Sequence, residues 1–354
     1  MADIARVVRV SVALRTSSIR QQTFSDLMLL GSHSGPRLTV IAEADELLDG
    51  FGLDQTSGLY RAAQVGFGQD PGPDRLFIGR RDFGETATQA LAACADEALG
   101  NDWYGVSDVA HDATEAAEIA AWTEANGRYF LTTFGDVGPN APMRALVTNR
   151  YARSGGWYVR PDTDAWPEVA AASKAYQVPP GGESWANMQL AAVPVPPMSE
   201  TLAQQIFALN GNTYEPIRNL ALTQNGKSFS GEYIDNIRFR DWLVEEIRVR
   251  VLRVFIDHDK VPYTDAGIAM IVQAMRGALV LGQKRGGIAP DTVDEETRKI
   301  RPGFTVSFPR AHQVAENDKA LRRLRDVKFS AVLAGAIHNV EVRGELVLSD
   351  LNFV

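Results

Sequence analysis

The sequence predicts an α/β protein, α+β over its whole length, built as two domains, and three patterns carry that reading. Short apolar runs alternate with helical stretches from Phe24 to Thr133, two long amphipathic helices fill Ser230–Gly287, and the stretch after Phe304 is rich in alternating strands. With 354 residues, 45% of them hydrophobic, the chain is long enough to bury a sizeable core.

Residues 4–14 alternate, with Val8, Val10, Val12 and Leu14 on one side and Arg9, Ser11 and Ala13 on the other, before a polar stretch from Arg15 to Gln22. That is a strand on a tether, residues 1–22, and on the residues alone it reads as an edge strand of its own domain. Strands at Leu27–Leu30 and Arg75–Ile78 alternate with helices at Leu59–Gly68 and Glu85–Leu99; Trp103–Val106, Thr114–Asn126 and Arg128–Thr133 continue the series. A small α/β domain over residues 23–195 follows. Ten acids and no Lys or Arg lie between Asp82 and Gly127, which predicts an acidic, outward-facing surface. Gly and Pro punctuate residues 135–200, leaving a strand at Gly156–Arg160, a helix at Asp164–Tyr176 and a domain boundary near Val193–Pro197. A second domain, residues 196–343, opens with a helix from Ser199 to Leu209.

In the first long helix Phe239, Leu243, Ile247, Val251 and Phe255 recur every four positions, widened by Trp242, Val249, Leu252 and Val254. Arg238, Arg240, Asp241, Glu245, Glu246, Arg248, Arg250 and Arg253 fill the rest of its surface and read as a solvated face. Pro262 ends this helix, and Thr264 caps the next, which runs to about Leu281 with Ile268, Ile271, Val272, Met275, Leu279 and Val280 inward and Gly286-Gly287 as its stop. Phe304, Val306 and Phe308 alternate as a strand. Asp318 can cap a short basic helix holding Lys319, Arg322, Arg323 and Arg325. Strands at Val327–Ala334 and Ile337–Leu348 follow, the last outrunning any hairpin partner, and residues 344–354 form a C-terminal arm.

The formal charge of −8 argues against a protein that wraps nucleic acid. Cys94 is the one cysteine, so no internal disulfide can form, as suits a reducing cytoplasm. The N-terminus lacks a signal-peptide pattern, and no run reads as membrane-spanning. Gly277–Lys284 resembles a phosphate loop but has one residue too many before its Lys, lacks the Ser or Thr, and lies inside a helix pattern. Asp257-His258-Asp259 sits at a helix end, where His is favoured as a cap and consecutive residues diverge rather than converge on a metal. His33, His111, His312 and His338 show no ligand spacing, and no Gly-x-Ser-x-Gly elbow is present. No catalytic, cofactor or metal residues are assigned. A soluble α/β enzyme with a site assembled from distant residues is the alternative, distinguished by eluting as a small closed oligomer.

SGEYIDNIRFRDWL, KVPYTDAGIAMI and VKFSAVLAGAIHNVEVRGELVL resemble the C-terminal half of short contractile tail sheath proteins of myophages, relatives of R-type pyocin sheaths. VVRVSVAL, LYRAAQVGFGQDPGPDRLFIGRRD and AEIAAWTEANGRYF add weaker matches in the expected order. The resemblance implies a non-enzymatic structural subunit of the virion, assembled in the host cytoplasm. It would polymerise as stacked, six-fold rings around a tail tube and contract to drive that tube through the host envelope for genome delivery. Its partners would be other copies of itself, the tube, baseplate and tail terminator, with no nucleic acid and no membrane insertion. Residues 23–195 would be the outer domain. The C-terminal helices would pack on a sheet completed by strands exchanged between subunits, through Val7, Val8, Arg9, Val10, Ser11 and Val12 of the N-terminal arm and Leu346, Val347, Leu348 and Leu351 of the C-terminal arm. Lys319, Arg322, Arg323 and Arg325 are candidates to face the tube. A baseplate or sheath-terminating protein is the alternative within this class.

Overall fold

A computed structural model describes residues 22–96 and 102–342. The N-terminal arm residues Val7–Val12 and the C-terminal arm residues Leu346, Val347, Leu348 and Leu351 lie outside them.

Runs such as Leu27-Met28-Leu29-Leu30 are apolar at every position because both sides of their sheet are covered. Six strands stand in the order β2 (Leu38–Ile41), β3 (Leu76–Arg80), β1 (Leu27–Gly31), β4 (Gly105–Asp108), β5 (Tyr129–Phe134) and β6 (Ser154–Tyr158). All neighbours run parallel except β2, an antiparallel edge on β3. The parallel strands thus follow the doubly wound order in which the first strand lies between the second and third. Leu27, Leu29 and Ile78 face a core shared with α1 (Gly58–Phe67) and α5 (Pro167–Ala175). Met28, Leu30, Phe77, Val106 and Phe130 face a second core under α2 (Ala87–Cys94), α3 (Ala116–Asn126) and α4 (Met143–Thr148). Thr86 and Gln89 close a capping box on α2, and Gly127 ends α3 in the left-handed conformation at φ 65°. The alternation read from sequence is therefore present; β2 and α4 were not foreseen, because both are short and lack caps or a clear period.

The acidic run between Asp82 and Gly127 does not form a bare acidic face. Asp82 and Glu85 both pair with Arg37 at 2.7 Å, Glu115 with Arg81 at 2.6 Å, and Glu124 with Arg153 at 3.5 Å. Each arginine lies outside the run, so counting charge along the sequence missed the neutralisation.

After α6 (Glu200–Ala208), whose first turn is capped by Ser199, an unforeseen hairpin of β7 (Thr213–Ile217) and β8 (Leu220–Gln224) leads to the long helices α7 (Ile234–Asp257) and α8 (Asp265–Arg285). Thr264 caps α8 through Gly267 N at 3.1 Å, and Gly286 ends it at φ 90°. His258 closes α7, its Nδ1 3.0 Å from Val254 O, so α7 stops before Pro262. By length and composition alone α8 could cross a membrane, contrary to the sequence reading, but Ile268, Val272, Met275 and Leu279 are buried against the rest of the chain.

The charged side of α7 is where expectation and structure part. Arg238, read as solvated, is completely buried. Its guanidinium pairs with Glu183 at 2.8 Å, donates to Phe24 O at 2.6 Å, Val178 O at 2.9 Å and Ser25 Oγ at 3.1 Å, and stacks over Tyr176 at 4.8 Å. One side chain thereby ties α7 to the approach to β1 and to the carbonyl-rich end of α5, where a cation is favoured. Asp241 makes the second tie, to Arg153 at 2.7 Å and to the Tyr104 hydroxyl at 3.0 Å. Phe239, Trp242 and Leu243 enter the same core as the sheet, while farther along Ile247 and Val251 are only partly covered and Phe255 is 52% exposed. The apolar stripe predicted for the whole helix is a core stripe over its first half.

Breaking one partner of a buried pair strands a charge, so Arg238→Met should destabilise the subunit by about 3–5 kcal/mol, and Glu183→Gln added to it should recover a large part of that loss. Chemical denaturation of the two single variants and the double variant measures this; additive losses would contradict the pairing.

Candidate assembly interface

Among the described residues the C-terminal region holds a sheet of two strands. β11 (Phe304–Ser307) and β12 (Lys328–Ala331), two of the strands the alternation predicted, pair antiparallel, Phe304 opposite Ala331 and Val306 opposite Phe329, whereas the described part of the strand predicted at Ile337–Leu348, residues 337–342, is not in a strand. Two strands alone make a marginal sheet. Val332 extends the pairing to both sides, donating to Gly303 O and accepting from Ala289 N, each at 2.8 Å, and Ala334 N donates to Gly287 O at 3.1 Å. Two-residue strands β9 (Thr292–Val293) and β10 (Ile300–Arg301) form a small flap in the preceding loop. Among the described residues no strand pairs with Lys328–Ala331 on the side away from β11. Beside it runs an apolar groove of about 280 Å³ between α7 and β12, lined by Ile237, Leu243, Val244, Ile288, Phe329 and Leu333. An open edge next to an apolar groove is the geometry that accepts an added strand, with main-chain groups to satisfy on one side and alternate side chains to seat on the other.

The basic cluster stands at the far tip of the long helices. α9 spans only Glu316–Ala320, so Lys319 alone of the four predicted cations is helical and Asp318 lies inside the helix rather than capping it. Arg322 follows in the left-handed region at φ 53°, which breaks the helix; Arg325 pairs with Asp318 at 3.2 Å, and Arg322, Arg323 and Arg325 are exposed. Lys260, Lys319 and Arg322 rim a cleft of about 700 Å³ whose walls include Phe255, Ile268, Ile271 and Leu324. The cations are thus brought together on a turn, beside an apolar surface that sequence reading did not foresee.

The arrangement nearest to catalytic chemistry lies at the carboxyl end of β4. His111, left-handed at φ 51°, places Nε2 2.8 Å from Glu168 Oε1, and the Ser107 hydroxyl donates to that same oxygen at 3.0 Å. Both groups address the carboxylate and neither addresses the other, so the serine has no base and the arrangement is not a nucleophile relay. It ties β4 to α5 across the core. Burial disfavours the imidazolium, but the Glu168 carboxylate, with Asp108 and Asp164, outweighs it and holds the His111 ring above its ordinary range. Burial pushes the Cys94 thiol up to about 11, against any role as a nucleophile. Among the described residues no group of three His, Cys, Asp or Glu is placed to hold a metal.

Residues 234–346 match the family described as E217 tail sheath protein gp31-like, C-terminal domain. The match spans the C-terminal third of the chain. It includes the open sheet edge, the groove and the basic tip. The fold as a whole has solved counterparts. The chain superposes on a subunit of the anti-feeding prophage baseplate with a TM-score of 0.65 at 13% identity, covering 96% of this chain and 100% of that one. It matches the contracted helical sheath of the same system with a TM-score of 0.64 at 12% identity, over 96% and 99% of the two chains. The contracted sheath complex of the extracellular contractile injection system PVC gives 0.64 at 11% identity, again over 96% and 99%. No curated protein matches the chain by sequence. The family match is thus confined to the C-terminal part, and the likeness over the rest of the chain is one of fold.

Because the His111 value is raised in the folded state, its stabilisation is complete below about pH 6.5, the ordinary histidine value, and is lost as pH rises through the raised folded value. The melting temperature of the subunit should therefore show a fall on that upward limb that is absent in His111→Asn; parallel pH profiles for the two proteins would remove the imidazolium–Glu168 pair from the account.

Proposed function

We propose that this chain is the sheath subunit of a phage contractile tail, polymerising as stacked rings, six-fold, around a tail tube and shortening to drive the tube through the host envelope for genome delivery. The observation that carries the reading is the coincidence of a tail sheath C-terminal domain with a fold that follows sheath subunits over 96% of the chain. In this reading the subunit is part of the virion, is assembled in the host cytoplasm, and meets further copies of itself, the tube, the baseplate and the tail terminator, without binding nucleic acid or entering a membrane. Likeness to a baseplate subunit supports a second reading, a baseplate or terminating component. Negative-stain microscopy of the purified chain decides between them: tubes of uniform width are expected of a sheath, and discrete particles would overturn that assignment.

The arms have a physical role in this scheme. A strand from a neighbouring subunit laid along β12 would satisfy its open edge, each hydrogen bond contributing about 0.5–1.5 kcal/mol net, and the alternation of Val8, Val10 and Val12 with Arg9 and Ser11 would place valines toward the groove. Residues 1–22 and 344–354 would be the exchanged arms, with residues 23–195 as the outer domain and 196–343 as the sheath domain. Deleting residues 1–15 should leave a monomer with an unchanged melting temperature that no longer forms tubes; a variant that unfolds would show that the strand belongs to its own domain.

The basic tip would face the tube. Lys319, Arg322, Arg323 and Arg325 would steer an acidic tube surface into register, with the apolar cleft as the contact beneath. Charge reversal at Arg322 and Arg323 should abolish tube-templated assembly and spare tube-free polymers. Loss of both kinds of polymer would instead place these residues between sheath subunits.

A further inference from the structure

In the last described segment one side chain is set into the body. From Gly335 to Val342 every residue is exposed except His338, and Ile337, Val340 and Val342 are 81%, 77% and 84% exposed. The His338 ring stands edge-on to Tyr233, with centroids 5.0 Å apart, and its Nε2 lies 3.3 Å from Ser184 Oγ. Lys227 Nζ sits over the same Tyr233 ring at 5.4 Å, and the Ser184 hydroxyl also reaches Ala186 O at 3.2 Å. Both anchor points belong to the rigid part of the molecule: Tyr233 is the cap residue of α7, and Ser184 follows Glu183, the partner of Arg238.

In an extended chain, side chains two apart share a side. His338 therefore belongs with Val340, Val342, Leu346 and Leu348, whereas Asn339, Glu341, Arg343 and Glu345 occupy the alternate positions. The segment from 338 to 346 is an amphipathic strand pattern whose first member on the apolar side is clamped to the body. A slip of one residue would turn the apolar set to the opposite side.

We infer that His338 is the register pin of the C-terminal segment: clasped between Tyr233 and Ser184, it fixes which side of residues 340–342 is offered to a neighbouring copy of this chain. This rests on the proposal that the C-terminal residues are exchanged between subunits. The clasp supplies what a tether cannot, a defined starting orientation, so that less freedom is lost when the strand is captured. His338 is a positioning residue, and the contacts that hold subunits together are made beyond it.

Four variants of the full chain test this, each followed by subunit melting and by polymer yield in sedimentation and negative stain. They are His338→Ala, one alanine inserted between Asn339 and Val340, two alanines inserted there, and deletion of residues 344–354. All four should melt like the parent. The single insertion should abolish polymers, the double insertion should restore them because the apolar set returns to its side, and His338→Ala should raise the critical concentration about tenfold. Parent-like polymerisation of the single insertion or of His338→Ala, equal failure of both insertions, or a lowered melting temperature in His338→Ala with unchanged polymer yield would each overturn the pin. If the deletion polymerises normally, the exchange of the C-terminal arm itself is wrong, an outcome distinct from failure of the pin alone.

Discussion

The buried Arg238–Glu183 pair is the contact on which the arrangement of the chain depends. Taking two ions out of water is costly, and Coulomb attraction alone does not return that cost. Here the guanidinium is also satisfied by Phe24 O, Val178 O and Ser25 Oγ and lies against the Tyr176 ring, so the penalty is met by several bonds at once. With Glu183, those partners come from the approach to β1, the end of α5 and the loop between α5 and α6. The pair therefore fixes where α7 enters the molecule, and everything that follows α7 is positioned from there. An apolar residue at 238 could fill the space but could not select those carbonyls, and the helix would lose the contacts that set its rotation.

From that fixed entry, α7 passes out of the shared core. Its first half is covered by the sheet's own core residues; its second half carries partly covered Ile247 and Val251 and half-exposed Leu252 and Phe255. The same trend continues in the small sheet beside it, where β12 is exposed at three of its four positions and Phe329 and Leu333 line an open groove. Among the described residues the chain thus passes from a thoroughly buried start of α7 to a β12 edge that no strand covers, an arrangement that favours contacts with other molecules. That gradient of burial is what the proposed assembly role draws on.

Much of this was legible in the sequence, for reasons tied to particular residues. The apolar runs at Leu27–Leu30 and Leu76–Ile78, the caps at Thr264 and Gly286, and the alternation of Phe304 and Val306 are local signals, each enforced by backbone geometry within a few residues. Arg238 was misread because a charge on a helix is normally solvated, and only the distant Glu183 and the carbonyls near Phe24 and Val178 reverse that expectation. The acidic run was misjudged for the same reason, its counterions Arg37 and Arg153 being far away in sequence. The basic tip was half right: the charges do gather, but Arg322 takes a left-handed turn that sequence spacing does not announce. That no described strand covers the outer edge of β12 could not be read at all, since whether a strand has a partner depends on where every other strand goes.

The division between a welded body and an open-edged C-terminal sheet gives the proposed sheath role its physical basis. A subunit that must occupy two packings needs contacts that survive the change and contacts that yield. The shared core and the buried pairs of Arg238 and Asp241 are poor candidates to yield, because opening any of them exposes ions or apolar side chains with no replacement partner. Strand pairing along an open edge is well suited to persist, since its hydrogen bonds are made to backbone and tolerate rotation of the bodies joined by the linking residues. The exposed ion pairs of the α/β surface, such as Arg61–Asp164 and Arg160–Asp162, are suited to exchange, because their solvated charges can take new partners at small cost. On this argument, energy released in shortening would come from contacts between bodies, and the conformation within each body, set by Arg238, would carry through unchanged.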